Sequence, residues 1–282
     1  MDNKIHTLLL PILLASLLPP LRAHEEYETI FTISVARYAV SQDGNALYLA
    51  TTGGDVNRYN YTDKFDTPTF TYSTSHSSSI RTIASSKGEK YVATGSLDFT
   101  VEVREAYTQA KVCTLQHYNQ LRAVVFDTND YEVLYAVAVD DLIRKWNVSD
   151  CSLIAEKSVG YSVHCMAINK AGTFLVYGTY EGHVGYIDTA LTTAVTYTSA
   201  HSFTVWNIFF TNDAYYVSFG QDSVGILWNG GSIISSYTAV VVNRIRECSL
   251  YVRHMYNSSM YLAGCYDEVA TIKLLKITNT TI

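Results

Sequence analysis

The sequence predicts an all-β fold, a β-propeller of six four-stranded blades, on three observations. A strand, an acidic turn and a second strand recur six times at a near-constant spacing; each copy follows another strand–turn–strand unit; and no long helical period of apolar residues appears after residue 24. The clearest copy spans 219–229, where Asp222 and Ser223 form the turn and the second strand closes on Trp228. Aligned on that tryptophan, the other copies close at Tyr59, Arg104, Trp146, Ile187 and Lys273, at intervals of 41 to 45 residues. An acidic residue stands six positions before the close in five of the six, Gly53 being the exception. A fixed period of about 40–45 residues with four short strands in each is the signature of propeller blades.

The elements follow in order. Lys4 precedes an apolar run over 8–18, which Pro19, Pro20, Leu21 and Arg22 break before the small Ala23. That pattern predicts a secretory signal peptide over 1–23, and its eleven residues fall short of the about 20 that span a bilayer. Residues 24–282 then form one domain, the propeller. The segment 27–33 alternates like a strand and can supply the outer strand of blade six, closing the ring and hiding its edges. A seven-bladed ring, or a ring that a partner completes, is the alternative. The upstream halves of the first five units lie at 37–52, 80–95, 122–138, 165–178 and 206–219, with turns at Asp43-Gly44, Lys87-Gly88, Asn129-Asp130, Ala171-Gly172 and Asn212-Asp213. Such residues accept the positive φ of tight turns, and the Val, Ile, Tyr, Phe and Thr between them suit pleated, packed strands.

At these residues the chain resembles the WD40-type repeat propellers. The resemblance implies a hydrogen-bonded tetrad inside a blade: a His before the first strand, a Ser or Thr on the second, the turn Asp and the closing Trp. Blade five matches at all four positions, His201, Ser218, Asp222 and Trp228. Blade three has His117, Asp140 and Trp146 but Ala136 at the hydroxyl position; blade two has His76, Thr94 and Asp98 but closes on Arg104. The resemblance also implies a rigid disc whose loop-bearing face docks proteins or peptides.

The formal charge of −6 argues against a nucleic-acid partner, which needs a basic stripe. No run after the leader is apolar enough to span a membrane. Four sequons, at Asn60, Asn147, Asn257 and Asn279, are glycosylation candidates in a secreted chain. Of the five cysteines, Cys248 and Cys265 fall on neighbouring strands of the last blade and form the candidate disulfide; Cys113 and Cys151 fall in outer-strand regions of adjacent blades. His164 and Cys165 are adjacent, and successive strand residues point to opposite faces, which argues against a dyad.

The turn acids should crowd one face around the central channel. Asp98, Asp140 and Asp222 have tetrad roles; Asp55, Asp141 and Glu268 do not, and with Tyr161, Tyr180 and His183 they form the candidate binding rim. Tyrosine is abundant, at 23 residues, and exposed Tyr suits interfaces. The sequence carries no phosphate loop, nucleophile elbow, dinucleotide fingerprint or zinc spacing, and no cofactor or metal is expected. These features point to a secreted, non-enzymatic scaffold for a protein partner, self-association into an extracellular coat, matrix or filament included. One alternative is a propeller hydrolase or glycan-binding protein using acids at the channel rim. The other is an intracellular adaptor, should 1–23 not be a leader.

Overall fold

The computed structural model describes residues 35–41, 46–51, 53–60, 67–193, 196–211, 214–238, 247–251 and 262–266. The leader 1–23, the segment 27–33, Asn257, Asn279 and Glu268 lie outside them. The chain builds antiparallel sheets in strict sequence order. Blade one holds β1 (Val35–Val40), β2 (Ala46–Thr51), β3 (Asp55–Asn60) and β4 (Phe70–Ser73). Blade two holds β5 (Ile80–Ser85), β6 (Tyr91–Ser96), β7 (Thr100–Glu105) and β8 (Lys111–Gln116). Blade three holds β9 (Leu121–Phe126), β10 (Val133–Ala138), β11 (Leu142–Asn147) and β12 (Ser152–Ser158). Blade four holds β13 (Val163–Ile168), β14 (Phe174–Thr179), β15 (His183–Asp188) and β16 (Thr196–Ser199). Blade five holds β17 (Val205–Phe210), β18 (Tyr215–Gly220), β19 (Val224–Asn229) and β20 (Ser232–Thr238). A two-stranded sheet follows, β21 (Glu247–Tyr251) with β22 (Leu262–Tyr266). The described residues thus form five four-stranded blades rather than six, with two strands at the place of the sixth.

Innermost strands of successive blades lie against one another in chain order from β1 to β21. Four apolar clusters fill the spaces between neighbouring blades. On β10, Leu134 and Ala136 pack toward blade two, with Leu115 and Val103. The alternating Tyr135 and Val137 pack toward blade four, with Met166 and Tyr177. The second strands are therefore buried on both faces, which is why they read as near-continuous apolar runs (Val133 to Ala138, Phe174 to Thr179) rather than as strict alternations. Each fully buried side chain of this kind contributes about 1.5–3 kcal/mol. The clusters also absorb tyrosine: Tyr48, Tyr135, Tyr177 and Tyr216, all on second strands, are almost fully buried.

In blades two to five the second-to-third-strand turn and the loop entering the first strand emerge at the same end. Backbone bonds tie the two together: Leu97 N donates to Ser79 O (3.0 Å), Val139 N to Gln120 O (2.8 Å), Tyr180 N to Ser162 O (3.0 Å) and Gln221 N to Thr204 O (2.8 Å). This end of the disc carries the channel mouth.

Candidate functional site

Blade five shows what the tetrad residues do. Asp222 accepts from Ser202 N (3.0 Å) and Val224 N (3.1 Å) and holds His201 Nδ1 at 3.0 Å. With Nδ1–H donated to the carboxylate, Nε2 accepts from the Ser218 hydroxyl at 2.8 Å, and that oxygen accepts from Trp228 Nε1 at 2.9 Å. Burial keeps the His201 pKa below its usual value despite Asp222. In blade two, His76 lies 3.1 Å from Asp98 and 2.9 Å from Thr94 Oγ1, while Arg104, where tryptophan would close, donates to buried Glu102 at 2.6 Å. In blade three the set comes apart. Asp140 accepts from Arg144 Nη1 (2.9 Å), and His117 Nε2 and Trp146 Nε1 have no partner within the protein. These two atoms correspond to the two that meet at Ser218 in blade five, and Ala136 offers them no oxygen.

The structure divides the candidate rim. Tyr161 and His183 meet tilted at 4.0 Å between ring centres, and Tyr197, 46% exposed on β16, completes a three-ring cluster at 4.9 and 5.2 Å. Tyr180 is elsewhere, edge-on to His164 at 4.7 Å and beneath the Arg122 guanidinium at 5.6 Å. Asp55 accepts from Ser73 (2.5 Å) and Asp141 from Ser158, each within its own blade. Asp55 and Asp141 therefore bond within their own blades, and neither lines the described pocket. Among the described residues no group of three or more His, Cys, Asp or Glu is placed to hold a metal ion.

The interior of the channel differs in charge from the acidic turns that the sequence places around its mouth. A cavity of about 210 Å³ lies among the innermost strands of all five blades, lined by Arg37, Arg81, Arg122, His164, Trp206 and apolar neighbours such as Met166. No carboxylate belongs to its described lining. The physical reason is register. The innermost strand of each four-stranded blade carries a β-bulge just after its first residue or two, and in blades two to five the bulged residue is Arg81, Arg122, His164 or Trp206. A bulge re-aims a side chain, and here it brings these four to one cavity while the turn acids stay with their hairpins. Burial, followed by Arg122, Arg37 and Arg81, pushes the His164 pKa down to about 3. Arg122 is likewise lowered, by burial first, with Tyr180 opposing and Arg81 adding to the shift. Sequence reasoning missed Arg37, Arg81, Arg122 and Trp206 as site residues. Reading the same early position of each innermost strand would have found the last three beside His164, as an unbroken series of N–H-bearing side chains.

Cys165 is no nucleophile: burial raises its thiol pKa, and its Sγ donates to Val205 O at 3.4 Å. Cys113 on β8 and Cys151 in the β11–β12 turn are joined by a disulfide. It is a different pair from the one the sequence favoured. Cys248 and Cys265 face each other in the β21–β22 register, but their side chains lie outside the described residues. Asn147, last on β11, accepts from Ser149 N (2.9 Å) and Oγ (2.7 Å); Asn60, last on β3, accepts from Arg58. Both lie at the end of the disc away from the channel mouth.

The mouth carries exposed aromatics: Tyr118 (86% exposed), a turn tyrosine that the sequence places in a loop, and Phe99 (40%) and Phe203 (60%), which the sequence reading did not single out. Phe99 is also conformationally costly. Five positions before the close, blades one and four have Gly54 (φ 91°) and Gly182 (φ 87°), whereas blade two holds a phenylalanine at φ 72°. A bulky side chain in the left-handed region costs on the order of 1–2 kcal/mol.

Comparison with known families matches residues 67–104 to the family "WD domain, G-beta repeat". The match covers β4 of blade one and β5–β7 of blade two, so the repeat in sequence is offset by one strand from the blade in space. No curated protein matches the chain. Among the described residues no helix is long and apolar enough to cross a membrane.

Proposed function

We propose that this chain, a WD40-type repeat protein, is a secreted, non-enzymatic scaffold that binds a protein partner on the face carrying the channel mouth. Phe99 carries the reading. A strained, exposed aromatic stands where two sister blades place glycine, so the position forgoes local stability, as binding positions do. Tyr118 and Phe203 extend the aromatic surface on the same face, and aromatic anchors dominate interface energetics. The hydrogen bonding of Asp55, Asp98, Asp141 and Asp222 within their own blades favours a scaffold over a carboxylate-based hydrolase. Secretion is supported by the leader-like residues 1–23 and by the Cys113–Cys151 bridge, which needs an oxidising compartment to persist.

The test uses protein purified from its own source. Loss of residues 1–23 with added glycan mass supports the secretory route; an unprocessed, unglycosylated chain overturns it. Native mass then distinguishes a bound partner from self-assembly. Phe99→Gly should fold with equal or higher stability yet lose the partner, whereas Tyr107→Ser and Tyr131→Ser, on the opposite face, should keep it. Undiminished partner binding by Phe99→Gly sinks the mouth-face assignment.

A further inference from the structure

We propose that the channel cavity binds one oxyanion, a carboxylate or a phosphate group, held by the side-chain N–H groups of Arg81, Arg122, His164 and Trp206. Four consecutive blades place a nitrogen donor at the bulged position of the innermost strand, and all four side chains line the same cavity. In each a nitrogen is buried without a hydrogen-bond partner inside the protein: Nε of Arg81, Nε of Arg122, Nδ1 of His164 and Nε1 of Trp206. Buried donors are satisfied in the great majority of native proteins, so four orphans around one cavity point to an acceptor from outside the chain.

Charge narrows the class of acceptor. Elsewhere the chain answers its buried and half-buried arginines with acids: Arg58 with Glu89, Arg104 with Glu102, Arg144 with Asp140. The cavity has no carboxylate in its described lining, in a protein whose formal charge is −6. A cation is repelled there, and water alone satisfies donors without compensating the guanidinium charges. The lowered pKa of His164, set by burial first and by Arg122, Arg37 and Arg81 after it, is in keeping with positive charge held close to the ring. His164 is consequently neutral near pH 7 and can present an N–H at Nδ1. Size is compatible with this class: a cavity of about 150 Å³ holds a benzene ring, so one of about 210 Å³ admits a carboxylate or phosphate group. Trp206 stands edge-on to His164 at 4.9 Å, and with Met166 it gives the site an apolar wall that strengthens the charged contacts. The inference does not depend on the mouth-face partner: the cavity can take an oxyanion whether or not Phe99 contacts a protein.

The test is calorimetric titration of the full chain with sodium phosphate and with sodium succinate, against sodium chloride at matched ionic strength. One saturable site is expected for phosphate, succinate or both, and none for chloride. Tighter phosphate binding identifies a phosphorylated group as the source and tighter succinate binding a carboxylate. Arg122→Gln should weaken binding at least tenfold. Trp206→Phe keeps the ring and removes one N–H, and should weaken it about fivefold, the net worth of one hydrogen bond. Arg122→Gln should unfold in chloride no earlier than the parent, since it removes one of the crowded cations; should it fail to fold, Arg81→Gln takes its place beside Trp206→Phe. The proposal is overturned by no saturable response to either oxyanion, or by variants that bind as the parent does. Phe99→Gly should retain ion binding in full, so failure of the docking surface and failure of this site are read separately.

Discussion

At position 136 a methyl group stands where blade five has a hydroxyl, and two buried nitrogens, His117 Nε2 and Trp146 Nε1, are left without a partner. Blade five shows that one oxygen serves both atoms. Ala136→Ser should therefore raise the urea midpoint, by about 1 kcal/mol for the restored hydrogen bonds net of desolvation; a lowered midpoint in equilibrium unfolding would show that the ring positions do not adapt. The sequence revealed the missing hydroxyl, but not that Asp140 turns instead to Arg144, because Arg144 belongs to no tetrad position. The same histidine bears on pH. Burial pushes His117 down to about 4, followed by the nearby Arg144, and His164 down to about 3. The unfolded chain takes up these protons near pH 6.5 and the folded chain does not, so stability present above pH 6.5 is lost as pH falls toward 4. The slope should approach about 1.4 kcal/mol per pH unit for each histidine. His117→Gln should flatten it, which urea melts at pH 7, 6, 5 and 4 would measure.

At the scale of elements, the joint between blades one and two is polar. Arg58 of β3, 4% exposed, makes a two-pronged ion pair with Glu89 at 2.8 and 3.0 Å, and Tyr48 of β2 donates to the same carboxylate. Glu89 sits in the short turn between β5 and β6, so the pair spans the two blades. Removing one partner leaves a buried charge alone and should cost about 3–5 kcal/mol. Arg58→Met is expected to show that loss by urea denaturation, and Arg58→Met with Glu89→Leu to recover most of it. A double variant as weak as the single one would mean that the contact is held by shape rather than by charge. None of this pairing was legible in the sequence. The strands on which Arg58 and Tyr48 lie follow from alternation and spacing, but Glu89 is 31 residues from Arg58 and meets it only because two blades stack face to face. In blade four, too, the sequence shows only a missing tetrad: Tyr177 fills the hydroxyl position, and the facing Gly185 makes room, since a Cβ there would lie 2.3 Å from the phenol oxygen.

For the whole molecule, the Cys113–Cys151 bridge ties blade two to blade three beside their shared apolar cluster. Its 38-residue separation gives a loop-closure contribution on the order of 4 kcal/mol. Cys113→Ala with Cys151→Ala should lower the melting temperature by roughly 8–16 °C for a domain of this size, and calorimetry under non-reducing conditions would show it; an unchanged melt would mean the thiols are not joined in solution. The sequence by itself determined the class of fold, the blade period and the complete tetrad of blade five. Those depend on contacts within one strand–turn–strand unit, where turn chemistry and alternation act over a few residues. Only the tertiary structure decided which cysteines meet across blades, and that the channel wall is basic although the turns around it are acidic. Both follow from the stacking of blades and the bulge in each innermost strand, which bring together side chains some forty residues apart that no local pattern links.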